Sequence, residues 1–179
     1  MLRPVVPADY QRLRALELSQ DLLWRWRSSG AMQSPEQWGA SLWNGVLTQC
    51  LVIDPQAKEW VGIASCYNAD QRHGHAYLAA AKFNMADASR RMLEGVVLFI
   101  DYVLSTWQFR KLYMDVPAFN LDQIGSGIGR LLEEEGRLKD HLWLNGQFWD
   151  LHLLAITRGR WEERRADLVG LATGTLRTG

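Results

Sequence analysis

Arg110-Lys-Leu-Tyr-Met-Asp-Val116, then Phe119-Asn120, then Glu133-Glu-Glu-Gly-Arg-Leu-Lys-Asp-His141, then Asn145-Gly-Gln-Phe-Trp-Asp150 and Leu153-Leu-Ala-Ile156 decide how this chain folds. Leu112 to Val116 reads as a strand. Asn145-Gly146, set between Leu138–Leu144 and Phe148–Ile156, is the strongest short hairpin signal in the chain and predicts a final antiparallel pair. Between these, Leu121 to Glu134 has helical apolar spacing but carries Gly125, Gly127 and Gly129. Each costs on the order of 1 kcal/mol relative to alanine, so a weak or bent helix is expected.

Working outward, Met92 to Trp107 is a long apolar helix and Ala76 to Phe83 a nearly all-apolar strand, expected to be buried on both faces. Strand, helix and the Leu112–Val116 strand form the crossover that a parallel pair requires. Cys50–Asp54 and Trp60–Ala64, separated by Pro55–Glu59, read as an antiparallel hairpin. Nearer the N-terminus, Leu2–Val5 is a short strand. Pro7-Ala8-Asp9 starts an amphipathic helix with Tyr10, Leu13, Leu16 and Leu18 as its apolar positions. Ser34, Pro35 and Gln37 form a capping-box start for a second helix bearing Trp38, Leu42, Trp43 and Val46. After Thr157, the charged run Arg158–Arg165 predicts a surface helix with a frayed end.

The 179 residues suffice for one domain with a sizeable core. Twenty Lys plus Arg balance twenty Asp plus Glu, so the chain has neither a global basic field for nucleic acid nor an acidic one. Cys50 and Cys66 lack metal-ligand spacing and read as buried thiols of a reducing compartment; no metal site is expected. No apolar run approaches the roughly 20 residues of a membrane span, and the expected location is cytoplasmic. The nine tryptophans are mostly core or interface material. Trp24 and Trp26 differ, because they alternate with arginines in a loop-like stretch that could stack on a planar acceptor.

The element order, with Asn120 just past the Leu112–Val116 strand, resembles the Gcn5-related N-acetyltransferases in their ribosomal-protein N-acetyltransferase branch. The resemblance covers about residues 2–162, giving a domain over 1–162 and a tail over 163–179. It implies an α/β (α+β) fold: a mixed central sheet of about seven strands, whose parallel strands 4 and 5 splay apart, with about four helices. The implied activity is transfer of an acyl group, acetyl foremost, from acetyl-CoA or another acyl-CoA to a primary amine of a small molecule or protein.

The resemblance also assigns site residues. The family holds the donor's pyrophosphate on backbone N–H groups at the start of the long helix, in a loop of Arg or Gln, two variable residues, Gly, one variable residue, then Gly or Ala. With Glu94 on the glutamate that follows the loop, Asp87-Ala-Ser-Arg-Arg-Met92 stands there and departs at all three defining positions. Ser89, Arg90, Arg91 and Met92 are then the donor contacts, the arginines binding phosphate through guanidinium groups; a solvated charge pair is the alternative. Asn120 matches the family's donor-orienting asparagine, whereas Gln123 stands for its serine and Gly127 for its leaving-group tyrosine. The Ala76–Phe83 strand has no carboxylate, so His73 and His75 are the candidate proton relay. His141 and His152 face the acceptor from the last hairpin, where Asp150 fixes the hairpin; Trp24, Trp26 and His141 are the substrate-side candidates.

Two further readings stand beside this one. A carrier-protein thioester or an aminoacyl-tRNA as donor would explain the drifted loop, tRNA requiring a basic stripe from Arg158, Arg160, Arg164, Arg165, Arg90 and Arg91. A non-catalytic binding module is the other, and exposed tryptophans on edge elements suit a homodimer.

Overall fold

The computed structural model describes residues 1–27, 29–86 and 90–175. Seven strands form one sheet: β1 (Leu2–Pro4), β2 (Val46–Ile53), β3 (Trp60–Asp70), β4 (His75–Lys82), β5 (Lys111–Pro117), β6 (Glu133–Leu144) and β7 (Gln147–Thr157). Their spatial order is β1-β2-β3-β4-β5-β7-β6. Every neighbouring pair is antiparallel except β4 and β5. The helices are α1 (Tyr10–Glu17), α2 (Gln20–Leu23), α3 (Pro35–Ser41), α4 (Arg91–Thr106) and α5 (Arg158–Thr173).

The sheet buries both faces. On one, α4 and α5 cover Ala64, Cys66, Ala76, Leu78, Leu112, Leu154 and Ile156. On the other, Leu13, Leu22, Trp26, Trp38 and Leu42 cover Leu51, Ile53, Ile63 and Ala81. Strand periodicity sends alternate residues to these two cores. The long helix sits hard on the sheet at its start: a Cβ on Gly95 would lie 2.4 Å from Val52 Cγ1, and one on Gly62 would lie 2.5 Å from Met92 Sδ.

Several expectations hold. Ser34 and Gln37 cap α3 reciprocally, with Gln37 N donating to Ser34 Oγ at 3.2 Å and Ser34 N to Gln37 Oε1 at 3.0 Å. Asn145 and Gly146 take positive φ angles of 50° and 80° and join β6 to β7 in a two-residue turn. The parallel β4–β5 pair forms as expected.

Others are corrected. No helix forms over Leu121–Glu134: two 3₁₀ turns, Ala118–Gln123 and Gly125–Gly127, replace it, and β6 begins at Glu133. Gly129 stands at φ 80°, which ends any helical run. The apolar spacing that reads as helical is satisfied because Leu121, Ile124, Ile128 and Leu131 pack against the core from the loop. The second helix stops at Ser41, leaving Trp43 outside it and Val46 in β2. Strand β4 is not buried on both faces, since Ala80 in its middle is exposed. Finally, α5 runs through residue 162 to Thr173, its Leu168, Val169 and Ala172 packed on the core, so 163–173 continues that helix.

Candidate active site

Strands β4 and β5 pair only over His75–Tyr77 and Lys111–Tyr113. Beyond that point β4 keeps its partner β3, up to Lys82 against Gly62, while β5 keeps β7, down to Pro117 against Leu151. The sheet therefore opens into a gap between two half-sheets, with Ala80 exposed on one side and Asp115 on the other.

An aromatic ladder leads to the mouth of the gap on the face of Ala79 and Ala81. Tyr67 and Tyr77 rings are 5.7 Å apart, Tyr77 and Tyr113 5.5 Å, and His75 stands edge-on to Tyr113 at 5.6 Å. Lys111, at the strand start, is paired with Glu135 and lies 5.3 Å over Tyr113. Asp115 follows Tyr113 in the same strand period. Desolvation by the surrounding protein pushes its carboxyl above the usual carboxylate range, and His141 pulls it back. Burial pushes the Tyr67 phenol up to about 12, with the Asp115 and Tyr77 charges adding to the shift. Tyr77 is raised in the same way, by burial first and then by Asp115 and Tyr113. Tyr67 and Tyr77 thus remain neutral O–H groups beside a carboxyl whose proton affinity is enhanced.

Across the gap, the segment after α2 meets the segment after β5. Arg25 Nη1 donates to Asn120 Oδ1 at 2.6 Å, and Gln123 Nε2 donates to the same oxygen at 3.1 Å. The Arg25 guanidinium lies 5.5 Å over the Phe119 ring, which stands edge-on to Trp149 at 5.0 Å. Beneath this loop, the buried Glu17 accepts from Trp26 Nε1 at 3.0 Å and Trp38 Nε1 at 2.7 Å, with Arg27 Nε 3.5 Å away. Arg27 in turn donates to Leu42 O and to the buried Gln49, which fixes the loop to β2.

At the start of α4, Arg90 is the cap residue and makes no side-chain hydrogen bond to the first turn. A guanidinium has no acceptor to offer the N–H groups of that turn, which are the kind of donors an anion takes at a helix start. Asp87, Ala88 and Ser89 lie outside the described residues.

A ribosomal protein uS5-alanine N-acetyltransferase of Escherichia coli is 29% identical over 116 residues, 64% of this chain and 59% of that protein; one from Shigella flexneri matches equally. The matched stretch thus spans less than two thirds of these relatives. No family model matches the chain. Spermidine N-acetyltransferase from Vibrio cholerae, solved with CoA and spermine, superposes with a TM-score of 0.71 at 17% identity, covering 90% of this chain and 97% of that one. A chimera of that enzyme and hSSAT gives 0.75 at 17% identity, covering 92% and 99%. The fold is that of the Gcn5-related N-acetyltransferases.

On the Gcn5-related fold, the residues expected from sequence divide into those that meet and those that do not. Asn120 follows the end of β5 that borders the gap, whereas His75 lies at the paired start of β4, edge-on to Tyr113. His73 does not reach the gap: it lies in the turn before β4, its Nδ1 2.8 Å from Asp70 Oδ2. Trp26 is core, its N–H spent on Glu17, and cannot stack on a substrate. Trp24 stays partly exposed, its ring lying over Gly30, where a Cβ would come within 2.2 Å. The Arg91 guanidinium is engaged by Asp54 at 3.3 Å and by Glu94, and the Met92 side chain is buried against Gly62. Arg90 is exposed, His141 is exposed within electrostatic reach of Asp115, and His152 is buried against Glu134.

The sequence reading missed Asp115, Tyr67, Tyr77, Tyr113 and Arg25. For the β5 residues a signal existed in the alternation Lys111, Tyr113, Asp115 opposite apolar Leu112 and Val116. For Arg25, whose partner is 95 residues away, none did.

Proposed function

We propose that this chain is an N-acyltransferase that takes its acyl group from a CoA thioester held in the β4–β5 gap and passes it to a primary amine. The observation that carries the proposal is the gap itself, opening directly past Tyr77 and Tyr113 with Asp115 at its edge. Acetyltransferases for a ribosomal protein and for spermidine among the similar proteins support the same reading.

A CoA thioester supplies an acyl carbon open to attack by a neutral amine. Asp115 is suited to take the proton that the ammonium form must lose, because its environment favours the protonated carboxyl more than water does. The neighbouring tyrosine ring faces suit an incoming ammonium group, and His75 and His141 border the same surface. Asn120 orients the donor, and Arg90 with the first turn of α4 holds its phosphates. Gly127 carries no acid for the leaving thiolate, a loss that proximity of amine and thioester offsets. The acceptor class is an amine of the polyamine or protein N-terminal kind.

The engagement of most of the candidate arginines weighs against the tRNA-donor reading. Arg158 is spent on Phe109 O and Trp107 O, Arg160 on Glu133, Arg165 on Asp101 and Arg91 on Asp54. That leaves only Arg90 and Arg164 of the six without an ion pair among the described residues.

Calorimetric titration with acetyl-CoA and free CoA, followed by an acyl-transfer assay over polyamines and peptides with free N-termini, tests the proposal. Micromolar binding and turnover of one acceptor are expected. No heat up to millimolar acetyl-CoA would reject it.

A further inference from the structure

Asn120 is oriented by a residue from the opposite side of the gap. A guanidinium only donates hydrogen bonds, so the Asn120 atom 2.6 Å from Arg25 Nη1 is the amide oxygen. Gln123 Nε2 donates to the same oxygen. With Oδ1 serving two donors, the Nδ2 group and its two protons are turned the other way, and none of the described residues accepts from it.

Arg25 is itself held. Its guanidinium lies over Phe119, Phe119 is braced by Trp149, and the chain around it is anchored by Trp26 on Glu17 and Arg27 on Leu42 O and Gln49. A side chain so restrained selects one rotamer and one amide orientation for its partner.

We propose that Arg25 is a positioning residue: it locks the Asn120 amide so that Nδ2 donates to a carbonyl oxygen of the acyl donor, and it thereby ties the acceptor-side loop to donor binding. The proposal rests on Asn120 facing the donor, as the function proposed above has it. Without Arg25 the amide can turn over, and its carbonyl then meets a carbonyl. Because the tie is energetic, it is reciprocal: whatever orders the loop around Arg25 also strengthens donor binding.

The test is calorimetric titration with acetyl-CoA, with a thermal melt of each protein, for wild type, Arg25→Ala, Arg25→Lys, Asn120→Ala, Asn120→Asp and the double variant Arg25→Ala/Asn120→Ala. Asn120→Asp keeps an acceptor for Arg25 but loses the donating group, so it is expected to melt no lower than wild type while binding acetyl-CoA about tenfold more weakly. Arg25→Ala weakens binding by about five- to tenfold, and Arg25→Lys restores part of it. In the Asn120→Ala background, Arg25→Ala changes the affinity no further. Equal losses from Arg25→Ala in both backgrounds, or an Asn120→Asp protein that binds as wild type does, would overturn the positioning role alone. A wild type silent to acetyl-CoA would overturn the donor reading and this inference with it.

Discussion

Asp115 concentrates the tension of the site in one side chain. Its carboxyl is pushed above the usual range, chiefly by desolvation, so the fold prefers its protonated form. A folded-state value above the unfolded one means the cost is absent below the ordinary carboxylate value of about 4 and grows as pH rises through the raised value. Asp115→Asn is therefore expected to melt higher than wild type at pH 7, with the difference closing toward pH 4, and to lose acyl transfer by about 10²-fold. Melting curves at the two pH values and kcat/KM check both halves. Glu17 is buried with a hydrogen-bond partner at each carboxyl oxygen. Glu17→Ala removes the ion-pair partner of Arg27 and leaves two indole N–H groups without their acceptor, and is expected to cost about 3–5 kcal/mol in urea denaturation.

At the scale of elements, the informative ones are those where local preference and packing disagree. Gly125, Gly127 and Gly129 make helix expensive over 121–134, and the loop that forms instead still buries its apolar residues. Helix α4 shows the converse use of glycine, since Gly95 lets the helix axis approach β2 until Val52 fills the space. Gly95→Ala, although favourable to an isolated helix, is expected to destabilise the protein by about 1–3 kcal/mol through overpacking, measurable as a fall in the denaturation midpoint. The capping box of α3 and the Asn145-Gly146 turn were legible because their partners lie within three residues. The missing helix was only half legible: its glycines could be counted, but the core that receives Leu121, Ile124, Ile128 and Leu131 could not be seen.

In the whole molecule the two half-sheets are joined by the three-residue parallel pairing, by the core that α4 and α5 build across both, and by the contact of Arg25 with Asn120. Some of the molecule's charges join elements: Arg165 to Asp101 ties α5 to α4, and Arg160 to Glu133 ties α5 to β6. With the arginines so engaged and formal charges balanced at net zero, the protein is expected to show no retention of tRNA at physiological salt in filter binding. No helix among the described residues is long and apolar enough to cross a membrane.

The sequence by itself made the strands, the α3 cap, the final hairpin and the parallel crossover legible, because each depends on residues close together in the chain or on a periodicity of two or 3.6; the fold as a whole was what the resemblance carried by those elements implied. It also pointed to Asn120. Only the tertiary structure decided which groups meet in the gap. Strand register set Tyr67, Tyr77 and Tyr113 in one row beside Asp115, burial withdrew Trp26 and Met92 from the surface, and ion pairing withdrew Arg91. A polar or aromatic residue is free for ligand only when the folded neighbours leave it unpaired, and those neighbours are brought together by packing across the sheet, not by spacing along the chain.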